Sequence, residues 1–135
     1  MWERVISQVD AGQRLLTPGR GIPPSNQKPF FIVEVHPDYL KIEIGSSRTP
    51  NTLPRAMFDA VEQFFIENPQ GYLRAAAEHQ KVPTSNSVDE VVRSAVHFYR
   101  AIGNYVAAIL EAAGCVRYSM VADRKVISVS MTVKP

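Results

Sequence analysis

The sequence has little cysteine, no long apolar run and no marked excess of charge, and each shortage excludes a class of protein. Cys115 is the only cysteine among 135 residues, so the chain can form neither an internal disulfide nor a zinc site of several thiolates. The longest apolar runs fall far below the roughly 20 residues needed to cross a bilayer. The start, Met1-Trp2-Glu3-Arg4, carries an acid where a signal peptide needs a basic and then an apolar segment. We expect a soluble, cytoplasmic protein without membrane contact.

Charge and composition are close to those of an average globular chain. Apolar residues make up 45% and charged residues 21%, and 15 basic against 13 acidic side chains give a net charge of +2. That excess is too small to indicate a nucleic-acid binder by itself. A chain of this length forms one ordinary core, so we expect a single domain over residues 1–135. Residues 17–29 contain four prolines and two glycines and are expected to form an irregular loop.

Two segments alternate between apolar and polar side chains and are predicted to form β-hairpins. The first covers residues 30–44, where Pro37 and Asp38 suit a tight turn. The second covers residues 115–133, with its turn at Ala122-Asp123-Arg124-Lys125. The polar positions of the second hairpin are mostly serine, threonine and arginine, which is typical of an antiparallel sheet with one buried and one solvated face.

Helical spacing of apolar residues dominates the rest of the chain. It predicts a short helix at 2–10, which Leu15 and Leu16 can extend, a helix from Thr52 to about Glu67, and a second short helix at 70–80. Ser87-Val88-Asp89-Glu90 has the pattern of a capping box. The residues after it predict one amphipathic helix at 88–113, with an apolar seam spaced by four and three that comprises Val88, Val92, Ala95, Tyr99, Ile102, Val106, Ile109 and Ala113.

These elements predict an α+β fold in the order α-ββ-α-α-α-ββ, in which two antiparallel hairpins, in one sheet or two, pack against three or four helices. The seam of the long helix keeps a period near 3.5 residues, as in helices that pack lengthwise against a partner helix. That partner can be the helix ending at Glu67 or a second copy of the protein. We expect a homodimer formed through residues 88–113.

One candidate site combines basic and hydroxyl side chains that would bind the phosphates of nucleic acid. Arg20 and Lys28 belong to residues 11–29, a stretch without acidic residues. Ser47 and Arg48 lie between a predicted strand and a predicted helix, and Arg55 falls in the first turn of that helix, where the dipole favours anions. The structural alternative is solvated loop charge together with the polar residues that any strand-to-helix turn contains.

A second candidate site lies on the polar side of the predicted long helix. Arg93, His97 and Arg100, with Tyr99 beside them, could contact a small ligand or a partner protein. A solvated polar stripe has the same sequence pattern.

Catalytic and metal-binding patterns are missing from the sequence. His36, His79 and His97 have no metal-ligand spacing, and no nucleophile elbow, Walker-type phosphate loop or dinucleotide fingerprint occurs. Cys115 follows a predicted helix end, where the dipole opposes a thiolate, so we expect low reactivity. We expect no catalytic residue, no metal and no cofactor.

Two functional hypotheses remain open at this point. The first is a non-catalytic binding or assembly module, with nucleic acid as the ligand that the basic residues favour. The second is a small-ligand-binding protein or an enzyme whose site is built from scattered residues on the long helix. Small α+β folds host such sites without sequence signatures.

Overall fold

The structure is a computed structural model that describes residues 1–78 and 80–130. This part of the chain holds four helices and two antiparallel sheets, which confirms the α+β class. None of its helices combines the length and the apolar character needed to cross a membrane. The elements are α1 (Trp2–Gln8), β1 (Arg14–Leu16), β2 (Pro29–His36), β3 (Tyr39–Ile44), β4 (Thr49–Pro54), α2 (Arg55–Glu67), β5 (Leu73–Arg74), α3 (Val88–Val96), α4 (Gly103–Ala112), β6 (Val116–Val121) and β7 (Arg124–Val129).

The first sheet is a four-stranded meander in the order β1-β2-β3-β4. Its central hairpin, β2 and β3, turns at Pro37 and Asp38 as the sequence predicts, and the indole nitrogen of Trp2 donates a hydrogen bond of 2.8 Å to the carbonyl oxygen of Pro37. The hairpin buries Phe30, Ile32, Leu40 and Ile42 against the helices. The register shifts between Ile32 and Glu34, where β2 carries an irregularity in its pairing with β3.

The helix predicted to start at Thr52 begins three residues later. Residues 49–54 form β4, in which Leu53 lies opposite Leu40 of β3, and α2 starts at Arg55 without a side-chain cap. Asn51 and Leu53 are buried while Thr52 between them is exposed, and this period of two is the pattern of a strand. The predicted extension of the first helix is also wrong, because residues 14–16 form β1 at the edge of this sheet.

The second sheet has the order β5-β7-β6, so the two predicted hairpins belong to separate sheets. β6 and β7 confirm the C-terminal hairpin, although its turn is only Ala122 and Asp123, with positive φ angles of 48° and 63°. Two residues with positive φ form the turn type that matches the twist of a tight hairpin. The end of the predicted hairpin, 131–133, lies outside the described residues.

The short helix predicted at 70–80 is wrong over the described part of that range. Leu73 and Arg74 form β5 instead, which pairs with β7, and the amide of Ala75 donates to the carbonyl oxygen of Lys125 at 3.1 Å. Leu73 and Ala75 are both buried. Helix propensity is a weak preference in so short a segment, and burial at alternate positions overrides it.

The long helix predicted at 88–113 is two helices. α3 ends at Val96, His97 adopts the left-handed conformation with φ of 53°, and α4 begins at Gly103. The middle of the predicted seam faces solvent, since Ala95 is exposed and Tyr99 is 75% exposed. The other six seam residues are buried in the core of the protein.

A buried carboxylate stabilises the start of the second helix after this break. Oδ1 of Asp89, in the first turn of α3, accepts hydrogen bonds of 2.9 Å from the amides of Ile102 and Gly103 at the start of α4. Its other oxygen, Oδ2, lies 3.2 Å from Nη1 of Arg93, and both side chains are almost fully buried. The first amides of α4 have no partner within their own helix, so the carboxylate of another helix satisfies them.

Long-range hydrogen bonds attach α1 and the loop after β1 to the rest of the protein. Arg4 of α1 donates through Nε to the carbonyl oxygen of Ala113, just after α4, at 2.9 Å. Residues 17–28 of the predicted loop are irregular apart from a bridge between Arg20 and Ser25, whereas Pro29 is the first residue of β2. Nζ of the buried Lys125 in β7 donates to the carbonyl oxygen of Pro18 at 2.6 Å, which ties this loop to the second sheet.

We expect Asp89→Ala to lower the free energy of unfolding by about 3–5 kcal/mol, because it leaves Arg93 buried without its carboxylate and uncaps α4. Asp59→Ala is the matched control. Its ion pair with Arg55 is about half exposed, so the loss should stay below about 1 kcal/mol. Urea denaturation of both variants measures the difference, and equal losses would contradict the structural role of Asp89.

We also expect Gly103→Ala to destabilise the protein by roughly 1–3 kcal/mol. In an exposed helix this change would stabilise by about 1 kcal/mol. Here a Cβ atom on Gly103 would overlap the backbone nitrogen and Cα of Asp89, neither of which can move without shifting α3. A thermal melting temperature equal to or above that of the wild type would disprove this close approach of the two helices.

Candidate functional site

The structure does not assemble the predicted anion site. Arg48 and Arg55 lie beyond opposite ends of β4, roughly 20 Å apart by the rise of an extended strand. The guanidinium of Arg48 lies over the ring of Phe31 at 3.9 Å, and its Nε lies 2.6 Å from a carboxylate oxygen of Glu43. Arg55 pairs with Asp59 at 3.1 Å. Both guanidinium groups are therefore balanced by carboxylates, that of Arg48 by Glu43 of β3 and that of Arg55 by Asp59 one turn further along α2.

The other predicted anion-binding residues are only partly grouped. Lys28 directly precedes β2 and Ser47 lies in the turn after β3, so both belong to the same end of the first sheet as Arg48. The hydroxyl of Ser47 is 3.0 Å from that of Thr49. Arg20 lies within the irregular loop, where its backbone bridges to Ser25. Within the described part of the chain, no hydrogen bond or ion pair joins the side chains of these residues into one anion-binding site.

The second predicted site is divided between two locations. Arg93 and His97 line an open depression of about 560 Å³ beside α3, but Arg93 also donates to the carbonyl oxygens of Lys81 (3.1 Å) and Phe98 (3.3 Å). Together with its pairing to Asp89, these bonds make Arg93 a structural residue that holds two loops onto α3.

Tyr99 and Arg100 lie apart from that depression, in the connection between α3 and α4. Nη2 of Arg100 donates to the side-chain oxygen of Asn51 in β4 at 2.7 Å, and the Arg100 guanidinium lies 5.4 Å from the centre of the Tyr99 ring. Burial raises the pKa of the neighbouring Tyr105, and the charge of Arg100 opposes that rise. Arg100 thereby fastens the connection to the first sheet and leaves the Tyr99 ring in solvent.

A basic surface that the sequence analysis missed lies on the outer side of the second sheet. In the pairing register, Arg117 lies opposite Ser128, and Arg74, Val126 and Ser119 form one row across β5, β7 and β6. Opposite residues share a face, and so do residues two apart on one strand. We call this surface the arginine face and define it as Tyr72, Arg74, Arg117, Ser119, Arg124 and Ser128.

A shallow depression of about 220 Å³ opens on the arginine face. Its walls include Tyr72, Arg117, Ser119 and Ser128, with Val126 at its base. Tyr72 directly precedes β5 and is 41% exposed, so its ring is available to a ligand that enters the depression. Aromatic, hydroxyl and cationic groups are thus presented together on a rigid sheet.

The electrostatics of the arginine face are positive. Arg124 pairs with Glu78 at 3.0 Å, and among the described residues no other carboxylate lies within 4.0 Å of the three guanidinium groups. Nη1 of Arg117 donates to the carbonyl oxygen of Val129 at 3.2 Å, which orients the guanidinium at the rim of the depression. Three arginines against one glutamate give the face an excess of about two positive charges.

The arginine face was only partly visible in the sequence. Arg117, Ser119 and Ser128 belong to the predicted solvated side of the C-terminal hairpin, so their shared face could be inferred. The spacing of apolar residues predicts a helix around Tyr72 and Arg74, and a helix there would not place them next to β7. The alternate apolar residues Leu73 and Ala75 were the signal that could have revealed the strand.

Neither metal-ligand geometry nor similarity to other proteins adds a second site. In residues 1–78 and 80–130, no group of three His, Cys, Asp or Glu side chains is arranged to hold a metal ion. The chain matches no protein-family model, no curated protein and no solved structure.

Cys115 is buried between α4 and β6, with Sγ 3.8 Å from the carbonyl oxygen of Met1. Burial is the main cause that raises the pKa of its thiol, and the charges of the terminal amine and Arg4 oppose this rise. The neutral thiol is a poor nucleophile.

We therefore expect a disulfide reagent such as DTNB to label the native protein at least about tenfold more slowly than the unfolded protein in urea, because reaction requires opening of the core. Absorbance of the released thiolate measures both rates. Equal rates in the presence and absence of urea would show that Cys115 is accessible in the folded state.

Proposed function

We propose that this protein is a non-catalytic module that binds single-stranded nucleic acid on the arginine face. One observation supports the proposal above all others: three neighbouring strands place three arginines, two serine hydroxyls and a half-exposed tyrosine on one solvated surface. Cationic and hydroxyl groups contact phosphates and sugars, and aromatic rings stack with unpaired bases.

The spacing of the arginines suits an extended phosphate backbone. Adjacent strands are about 4.8 Å apart and residues on one face repeat about every 6.8 Å, so the Cα atoms of Arg74, Arg117 and Arg124 lie roughly 8–14 Å from one another. Long side chains on such a grid reach successive phosphates of one strand. The planar guanidinium fork can bind two phosphate oxygens at once.

Tyr72 provides the contact that favours a single strand over a duplex. A base can stack on its ring only when the base is unpaired and turned toward the protein. The arginine face is a sheet surface with a depression, whereas duplex DNA is usually read by a helix or a strand ribbon that enters the major groove. Serine hydroxyls beside the ring can accept or donate hydrogen bonds to bases and sugars.

The other predicted partners and roles remain proposals or predictions. The homodimer predicted through 88–113 needs another surface, because that segment is two helices that pack into the core. The structure gives less support to the small-ligand alternative, since the guanidinium groups of Arg93 and Arg100 donate hydrogen bonds to Lys81 and Asn51 of the same chain. The cytoplasmic location stays a prediction from the sequence.

We expect the protein to bind a fluorescent single strand of about 12 nucleotides, with Arg117→Ala and Arg74→Ala each weakening the affinity about 5–10-fold. Each variant should also reduce the slope of log affinity against log salt by about 0.7, the value for one lost phosphate contact on a single strand. Fluorescence anisotropy across a salt series measures both quantities.

Arg48→Ala is the charge-matched control, because its guanidinium pairs with Glu43 on the other sheet. It should change the affinity less than about twofold. Tyr72→Ala should weaken binding about tenfold while Tyr72→Phe keeps it, as base stacking requires. The proposal fails if no binding occurs at about 50 mM salt, if Arg48→Ala weakens binding as much as Arg117→Ala, or if duplex is bound more tightly than a single strand.

A further inference from the structure

Three of the four outer strands of the two sheets are protected against pairing with another chain. β1 has three residues, β4 carries Pro50 and Pro54, and β5 has two residues and is bridged on its far side by Ser87. Very short edges, prolines and covering segments are the usual means of protection. β6 has none of these features, because it is a regular strand of six residues without proline.

The hydrogen-bonding groups on the free side of β6 can be identified from its pairing with β7. The amide of Ser130 donates to the carbonyl oxygen of Cys115, and the hairpin closes at the two-residue turn between Val121 and Arg124. Bonded pairs alternate along an antiparallel ladder, so 117, 119 and 121 bond to β7. The amides and carbonyls of Val116, Tyr118 and Met120 therefore point away from β7, and no backbone partner for them occurs among the described residues.

We propose that this edge pairs with the β6 edge of a second copy of the protein, joining two three-stranded sheets into one antiparallel sheet of six strands. The two copies are related by a two-fold axis perpendicular to the sheet. An isologous contact of this kind is closed, so it produces a dimer and not a fibre.

The free groups determine the register of the pairing. They are evenly spaced about Tyr118, so centring the axis there pairs Tyr118 with the partner's Tyr118 and Val116 with the partner's Met120. This register forms roughly six inter-chain hydrogen bonds, whereas moving the axis by one residue leaves roughly four. Centring on Arg117 would also place two like charges opposite each other, which destabilises a strand pair.

Side chains near the edge agree with this register. Met120 is 40% exposed and lies on the core side of the sheet with Val116 and Tyr118, so pairing brings apolar groups of both copies together. On the other side, Arg117 lies opposite the partner's Ser119, and both arginine faces look in the same direction. The dimer would thus present one continuous basic surface of twice the area.

Substitutions at Met120 test the edge itself. Proline at this position removes only a donor that points away from β7, so Met120→Pro should leave the hairpin intact and weaken dimerisation at least tenfold in sedimentation velocity over a concentration series. Met120→Lys, a charged edge, should act in the same direction and covers the case in which the proline variant does not fold. Val82→Lys is the matched control, because Val82 is 66% exposed in a loop and its substitution should change nothing.

Cysteine cross-linking tests the register. Opposite residues that are not hydrogen-bonded have Cα atoms about 4.5 Å apart, within the range of a disulfide. An oxidised mixture of Arg117→Cys and Ser119→Cys proteins should therefore form a mixed disulfide-linked dimer. Either variant alone should cross-link at least tenfold less, because its cysteines lie on the diagonal about 7–8 Å apart. Every variant retains the buried Cys115, so any cross-linking through Cys115 is the same background in all of these experiments.

Several results would overturn the pairing. They are a wild-type monomer at the highest concentrations studied, a dimer that both Met120 variants leave unchanged, and cross-linking of either cysteine variant alone as readily as of the mixture. Hydrogen-exchange protection of the Tyr118 and Met120 amides in a monomer would show that another segment of the same chain occupies the edge. All of these measurements use the protein without nucleic acid, so a failure to bind nucleic acid would leave the dimer proposal standing, and the reverse also holds.

Discussion

The carboxylate of Asp89 makes the contacts on which the arrangement of the helices depends. It occupies the first turn of α3, neutralises Arg93 and supplies the missing acceptors for the first amides of α4. Apolar packing cannot replace this carboxylate, because each of its contacts satisfies a different buried donor that would otherwise lack a partner. α3 also packs on α2, and the Asp89 side chain ties the start of α3 to the start of α4.

The turn of α4 has a further effect on the second sheet. α4 leads directly into β6 through a tight connection at Gly114, where φ is 77°. β5, β7 and β6 are thereby held with their apolar side on the core and their polar side in solvent. The arginine face is rigid because it is the outer surface of this sheet, and rigid surfaces lose less conformational entropy when a ligand binds.

The sequence predicted the α+β class, both hairpins and the irregular loop, because alternation and proline content are local signals. The prediction was wrong where a local sequence pattern is compatible with two different structures. Thr52 and Pro54 suit a helix start as well as an edge strand, and the alanines after Leu73 suit a helix as well as the end of a strand. The break after Val96 depends on a contact between Asp89 and Gly103, fourteen residues apart, which no spacing rule records. The hairpin part of the arginine face follows from the alternation of residues 115–133, but the part formed by Tyr72 and Arg74 depends on the pairing of β5 with β7.

The contact between Arg4 and Ala113 limits when α1 can dock on α4 during synthesis on the ribosome. The two residues are 109 positions apart, so α1 cannot dock on α4 until the residues up to Ala113 have been made. At ordinary translation speeds this interval is roughly 5–20 s. The meander of β1 to β4 pairs only neighbours in sequence and can form in that time. Trp2 reaches its partners much earlier, since its indole donates to the carbonyl oxygen of Pro37 and its ring lies 5.1 Å from that of Phe58, so α1 can dock on the first sheet and α2 before it meets α4.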